Sequence, residues 1–181
     1  MPYFVNTLIF VPLLLAAQAV VAAEPARGPV INNFGPVYAV PESSFNLVPQ
    51  QDYKVIMDVG KGPEDTSALN RGIESAARFL NMNARNGIQP GKVKLAIVLH
   101  GSAGRAALTD QSHEKHFVTA NPNKSLMEEL GRAGVDIYIC GQTAAHRGFT
   151  PDQLLPEVTL AVSAMTVHVR LQQEGYRAIL F

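Results

Sequence analysis

The chain has 181 residues, 47% of them apolar, and 15 basic residues balance 15 acidic ones, which suits one domain with a buried core. A formal net charge of zero, with no basic stripe interleaved with aromatics, excludes the electrostatic footprint of nucleic-acid binding. With one cysteine in the whole chain, internal disulfides and C-x-x-C dithiol cycling are excluded too.

The first charged side chain is Glu24. Residues 1–23 form an apolar leader, interrupted by Pro12 and Gln18, with small residues at Val21 and Ala23 ahead of Glu24. That pattern predicts a signal peptide cleaved before Glu24 and a periplasmic mature protein, although no Lys or Arg precedes the apolar run. Its clean apolar stretch is shorter than the roughly 20 residues of a membrane span. Residues 24–51 carry Pro25, Pro29, Pro36, Pro41 and Pro49 alongside Val30, Ile31, Phe34, Val37, Tyr38 and Phe45. The prolines forbid a long helix and the apolar residues are too many for a free linker, so this segment reads as an extended arm over the domain or over a neighbouring subunit.

The domain is expected over residues 52–181. Residues 53–59 read as a strand ending in the turn residues Gly60-Lys61-Gly62-Pro63. Leu69, Ile73, Ala76, Ala77, Leu80 and Ala84 recur at helical spacing, with Thr66 as the expected cap and Asn86-Gly87 as the stop. Arg71, Glu74, Arg78 and Arg85 on the opposite face read as solvated surface, with Glu74 and Arg78 paired. Residues 93–100 form a second, almost wholly apolar strand, as expected of one covered on both faces. The polar stretch 105–123 reads as irregular. Ser125 with Glu128 signals a capping box for the next helix, which stops before Gly134. A strand over 135–139, a loop or short helix over 141–155, a strand over 158–162, a helix over 163–174 stopped by Gly175, and a strand over 176–181 complete the chain. This alternation predicts an α/β fold, a three-layer α/β/α arrangement with a mainly parallel sheet of about five strands.

The carboxyl ends of the strands in such a sheet line its crevice. Three features fall there: the turn after Val59, His100-Gly101, and Cys140-Gly141-Gln142. Cys140, where a buried strand opens into a turn, has no partner in its own chain, so any covalent role involves another molecule. Backbone amides of residues 141–147, with His146 and Arg147, can lower its pKa; equally, a lone cysteine can be a small apolar filler. His100 can serve as base, ligand or backbone-bonded ring. His113 and His116 read as solvated loop residues, and neither with His100 nor with Cys140 do they make a standard metal-ligand spacing, so no metal and no cofactor is predicted. His168 shares a helix face with Ala164 and Leu171 and reads as a packed boundary residue. Gly60-Lys61-Gly62-Pro63 lacks the phosphate-loop order, and His100-Gly101-Ser102-Ala103-Gly104 lacks the first glycine of a hydrolase elbow.

The set His100-Gly101, Asn121-Pro122-Asn123, Cys140-Gly141-Gln142, Arg147-Gly148, Ser163-Ala164-Met165-Thr166 and Gln172-x-x-Gly175-Tyr176 resembles the DsrE/DsrF-like family, particularly its exported branch. The resemblance implies a parallel α/β fold, a homo-oligomer, and sulfur relay in which one cysteine carries a persulfide. It matches Cys140, ahead of a short helix ending at Arg147-Gly148, to the sulfur-carrying position, with His100, His146 and Arg147 as support and Gly101, Asn121, Asn123, Gly141 and Gln142 as binding positions. The partner would be a sulfur donor or acceptor protein or a small sulfur compound. The other reading is a non-catalytic small-ligand or metal-binding and assembly module with a structural cysteine.

Overall fold

The computed structural model describes Met1 and residues 24–180; the leader expected over residues 1–23 otherwise lies outside the described residues. Five strands, β1 (Tyr53–Val59), β2 (Val93–Leu99), β3 (Asp136–Cys140), β4 (Val158–Ala161) and β5 (Arg177–Leu180), form one sheet in the order β4-β3-β2-β1-β5. Every pairing is parallel. Five α-helices connect them: α1 (Arg71–Arg85), α2 (Asp110–Phe117), α3 (Lys124–Arg132), α4 (Gly141–Arg147) and α5 (Ala164–Gln173). No helix among the described residues is long and apolar enough to cross a membrane.

The strand order dictates the layers. From β1 to β4 the chain moves one way across the sheet, and right-handed crossovers put those connections on one face. The return from β4 to β5 runs the other way, so its helix α5 lies on the opposite face. Side chains alternate between faces along each strand. Accordingly Val55, Met57, Val59, Leu95, Ile97, Leu99, Ile137 and Ile139 pack against Ile73, Ala76, Ala77 and Leu80 of α1 and Leu126, Met127 and Leu130 of α3. On the other face Ile56, Ala96 and Val98 meet Val167, Leu171 and Tyr176 from α5 and its end, with the partly buried Tyr138, Ala161 and Ala164 packed beside them.

Local details differ from the sequence-based expectations in ways that have physical causes. Helix α1 is capped not by Thr66 but by Asn70, whose side chain accepts from the Gly72 and Ile73 amides. Asn70 is itself fixed because its amide donates to Asn123 Oδ1 at 2.7 Å. The Ser125/Glu128 capping box does not form: α3 starts at Lys124, placing Ser125 inside the helix. The stretch 105–123 is ordered, as a 3₁₀ turn over Gly101–Ala107 followed by α2, which Thr109 caps through the Ser112 amide. Strand β3 extends through Cys140.

The polar face of α1 is not free surface. Asn81, wholly buried, accepts from the Val30 and Ile31 amides and donates to the Ile31, Phe34 and Gly35 carbonyls. Glu74 accepts from the Gly35 amide, Arg78 donates to Pro36 O and Arg85 to Gly28 O. Glu74 and Arg78 thus hold the arm instead of pairing with each other. Ile31 seals the contact by entering the core. Beyond Val37 the arm exposes Tyr38, Val40, Phe45 and Val48.

Candidate functional site

Asp58 of β1, His100 just beyond β2 and Cys140 of β3 all project to the α5 face, because each lies two residues from Ile56, Val98 or Tyr138 on that face. Register brings them together at the carboxyl edge. Val59 is opposite Leu99 and Leu99 opposite Ile139, so His100 and Cys140 follow a shared row. Asp58 lies opposite Leu180 of β5. Helix α5 crosses above and adds His168.

Asp58 binds both imidazoles. Its Oδ2 is 3.0 Å from His100 Nε2 and its Oδ1 is 2.7 Å from His168 Nε2. Partial burial works to raise the carboxyl pKa, but the hydrogen bonds and charge interactions with His100 and His168 outweigh it and hold the group below the usual carboxylate value. An ionised carboxylate only accepts hydrogen bonds, so each ring carries its hydrogen on Nε2 toward Asp58. Each Nδ1 is left for other partners.

Cys140 is 7% exposed. Burial alone would raise its thiol pKa, yet hydrogen bonds from the Ala164 amide, from the Thr143 amide and hydroxyl and from the Gln142 amide lower it below the ordinary value. Sulfur ringed by donors favours the thiolate, the nucleophilic form. Thr143 is the keystone: its hydroxyl oxygen accepts the Gly101 amide at 3.1 Å, which leaves the hydroxyl hydrogen for the sulfur. Gly101 itself stands at φ +52°, a turn that favours glycine. Gly141 has no room for a side chain, since a Cβ there would collide with Ala161 O.

Asp58, His100, Cys140, Gln142, Thr143 and His168 line a cavity of about 710 Å³. Ser163, Ala164, Met165, Val169, Gln172, Ala178 and Leu180 complete its wall. Gln142 also donates to Val162 O at 3.3 Å.

Other residues singled out in the sequence lie elsewhere. His146 and Arg147 are exposed in the last turn of α4, and neither lines this cavity or contributes to the lowered Cys140 pKa. The charge of Arg147 is felt instead by Arg105, whose pKa is lowered by burial first and by Arg147 second. Asn121 and Asn123 are buried in a structural network: Asn121 donates to Ala106 O and Leu108 O and its Oδ1 accepts the Asn123 amide. His113 is fully buried, not solvated, because α2 turns it inward, where Nδ1 meets Thr119 O at 2.7 Å. His116 is exposed, with its ring edge-on to Phe149. Among the described residues no group of three or more His, Cys, Asp or Glu side chains is placed to hold a metal ion.

Asp58 and His168 are the site residues that sequence reasoning missed. The signal for Asp58 was an acid ending a buried parallel strand, where only a compensated charge is tolerated. His168 carried no such mark, because its partner lies 110 residues away.

The DsrE/DsrF-like family model matches residues 54–181. Among solved structures, the chain is similar to MTH1491 of Methanobacterium thermoautotrophicum, a protein of unknown function, with TM-score 0.55 and 22% identity over 72% of this chain and 100% of that one. It is also similar to the E. coli YchN protein, with TM-score 0.52 and 17% identity over 71% of this chain and 99% of that one. Both likenesses are of fold. No curated protein matches the chain.

Proposed function

The chain belongs to the DsrE/DsrF-like family, and from that premise we propose that it is a periplasmic sulfur carrier that holds a persulfide on Cys140 and passes it to an acceptor. The observation that carries this reading is the donor ring at Cys140: three amides and the Thr143 hydroxyl favour the thiolate inside a cavity shared with His100, Asp58 and His168. Such a thiolate attacks the outer, sulfane sulfur of a donor, breaks that sulfur's bond to the rest of the donor, which leaves as a thiolate or other anion, and on protonation gives Cys140–S–SH. With a single cysteine nothing in the chain resolves the product, so the sulfur waits for a second molecule. The protein is then a carrier more than a turnover enzyme. Export of the chain, expected from residues 1–23, forms part of this proposal. So does a homo-oligomer, supported by the exposed Tyr38, Val40, Phe45 and Val48 of the arm; deleting residues 38–48 lowers the solution mass if they make that contact.

Intact mass of the non-reduced mature chain after exposure to a sulfur donor is the direct test. Gain of one sulfur atom in the intact protein and none in Cys140→Ser is expected. No cysteine-dependent gain ends the proposal.

A second reading has one observation in its favour, the low exposure of Cys140. In that case the cavity belongs to a non-catalytic binding module and the cysteine is structural. A thiol that titrates only after denaturation selects this reading.

A further inference from the structure

The wall of the Cys140 cavity has two unlike sides. One is chemical: Cys140 with its donors, and the two imidazoles held by Asp58. The other is hydrocarbon, made by Met165 and Val169 of α5 and by Ala178 and Leu180 of β5. Among the described residues no lysine or arginine lines the cavity, and the one side-chain carboxylate there is that of Asp58. Thiosulfate and polysulfide chains are multiply charged anions with no hydrocarbon to bury. They would enter a site with no fixed cation to neutralise them and a carboxylate on its floor. An apolar group gains from leaving water for the hydrocarbon side, where Leu180 is 75% exposed and Met165 74% exposed.

Resting on the carrier reading above, we propose that the donor taken into this cavity is an organic persulfide, R–S–SH, whose R is an uncharged alkyl or aryl group, seated on Met165, Val169, Ala178 and Leu180 with its sulfur toward Cys140. The Cys140 thiolate attacks the outer sulfur, a new S–S bond forms, and the R–S to S–H bond of the donor breaks. Cys140 gives up one proton on ionising and the leaving R–S⁻ takes up one, so protons balance. The sum is R–S–SH plus Cys140–SH giving Cys140–S–SH plus R–SH, with no external oxidant or reductant.

The test compares two donors with the same reactive end, benzyl hydropersulfide and 2-sulfonatoethyl hydropersulfide, each generated in situ. Loading of Cys140 is followed by intact mass, and each rate is divided by that of N-acetylcysteine under the same conditions. The benzyl donor is expected to load the intact chain roughly tenfold faster after this correction, the low end for burying one apolar group. Leu180→Lys and, independently, Met165→Lys bring the ratio toward one; both side chains are exposed, so folding is preserved. Equal corrected rates in the intact chain, or a ratio unmoved by both lysine variants, overturn the apolar-donor inference and leave the carrier reading standing. If neither donor adds sulfur to the chain while both load N-acetylcysteine, the carrier reading falls and this inference with it.

Discussion

The two faces of the sheet are built to different standards. On one, α1, α3 and the arm enclose a continuous core of 24 buried residues; on the other, α5 alone covers a cluster of six. The difference follows from topology, since only one crossover returns across the sheet. Five strands under one helix leave uncovered hydrocarbon at Leu180 and a cavity between α5 and the strand ends. The crowded face therefore carries stability, while the sparse face leaves space for a ligand beside ionisable groups.

The largest expected effect tests that division. Leu130→Ala on the crowded face should cost about 2–5 kcal/mol in urea unfolding, whereas Leu171→Ala under α5 should fall near or below the ~2 kcal/mol lower end. Equal losses would break the contrast. Next, Asn81→Leu leaves four arm groups, the Val30 and Ile31 amides and the Phe34 and Gly35 carbonyls, without partners. It should cost about 1–3 kcal/mol, and limited proteolysis should cut residues 26–37 sooner, because the arm detaches before the domain opens. An arm that stays protected would show that Ile31 alone anchors it.

Smaller effects sharpen the description of the sparse face. The Asp58 carboxyl pKa is lower in the folded chain than its ordinary value. Its stabilising contribution is therefore complete above the ordinary carboxylate pKa and is lost as pH falls through the folded one. Asp58→Asn should lower the neutral-pH urea midpoint and flatten its fall in acid; a curve parallel to that of the parent chain would remove Asp58 from the pH response. The smallest effect is on Cys140 reactivity. Alkylation of the parent chain should follow a profile displaced to lower pH than a free thiol, and Thr143→Val should move it back upward, because one donor to the sulfur is gone. An unmoved profile would assign the lowering to the three amides.

What could be read in the sequence was whatever is encoded by near neighbours. The strands declared themselves as apolar runs bounded by Gly, Pro and Asn, and Cys140 stood out as the single thiol at a strand end. Local caps were legible only as candidates. Thr66 and the Ser125/Glu128 pair have suitable chemistry, but Asn70 won because Asn123 holds its backbone from 53 residues away. The same limit explains α1: Glu74 and Arg78 have ideal spacing for a surface pair, and only the folded arm reveals the carbonyls and amides that claim them.

Alternation along the chain determined the layered α/β fold, because a strand or helix face must bury its hydrocarbon whatever its partner is. The partnership of Asp58 with His100 and His168, the donor ring around Cys140, and the exile of His146 and Arg147 to the far end of α4 belong to the tertiary structure. They depend on strand register and on which face α5 crosses. Those are relations between segments distant in sequence, and no local pattern of residues contains them.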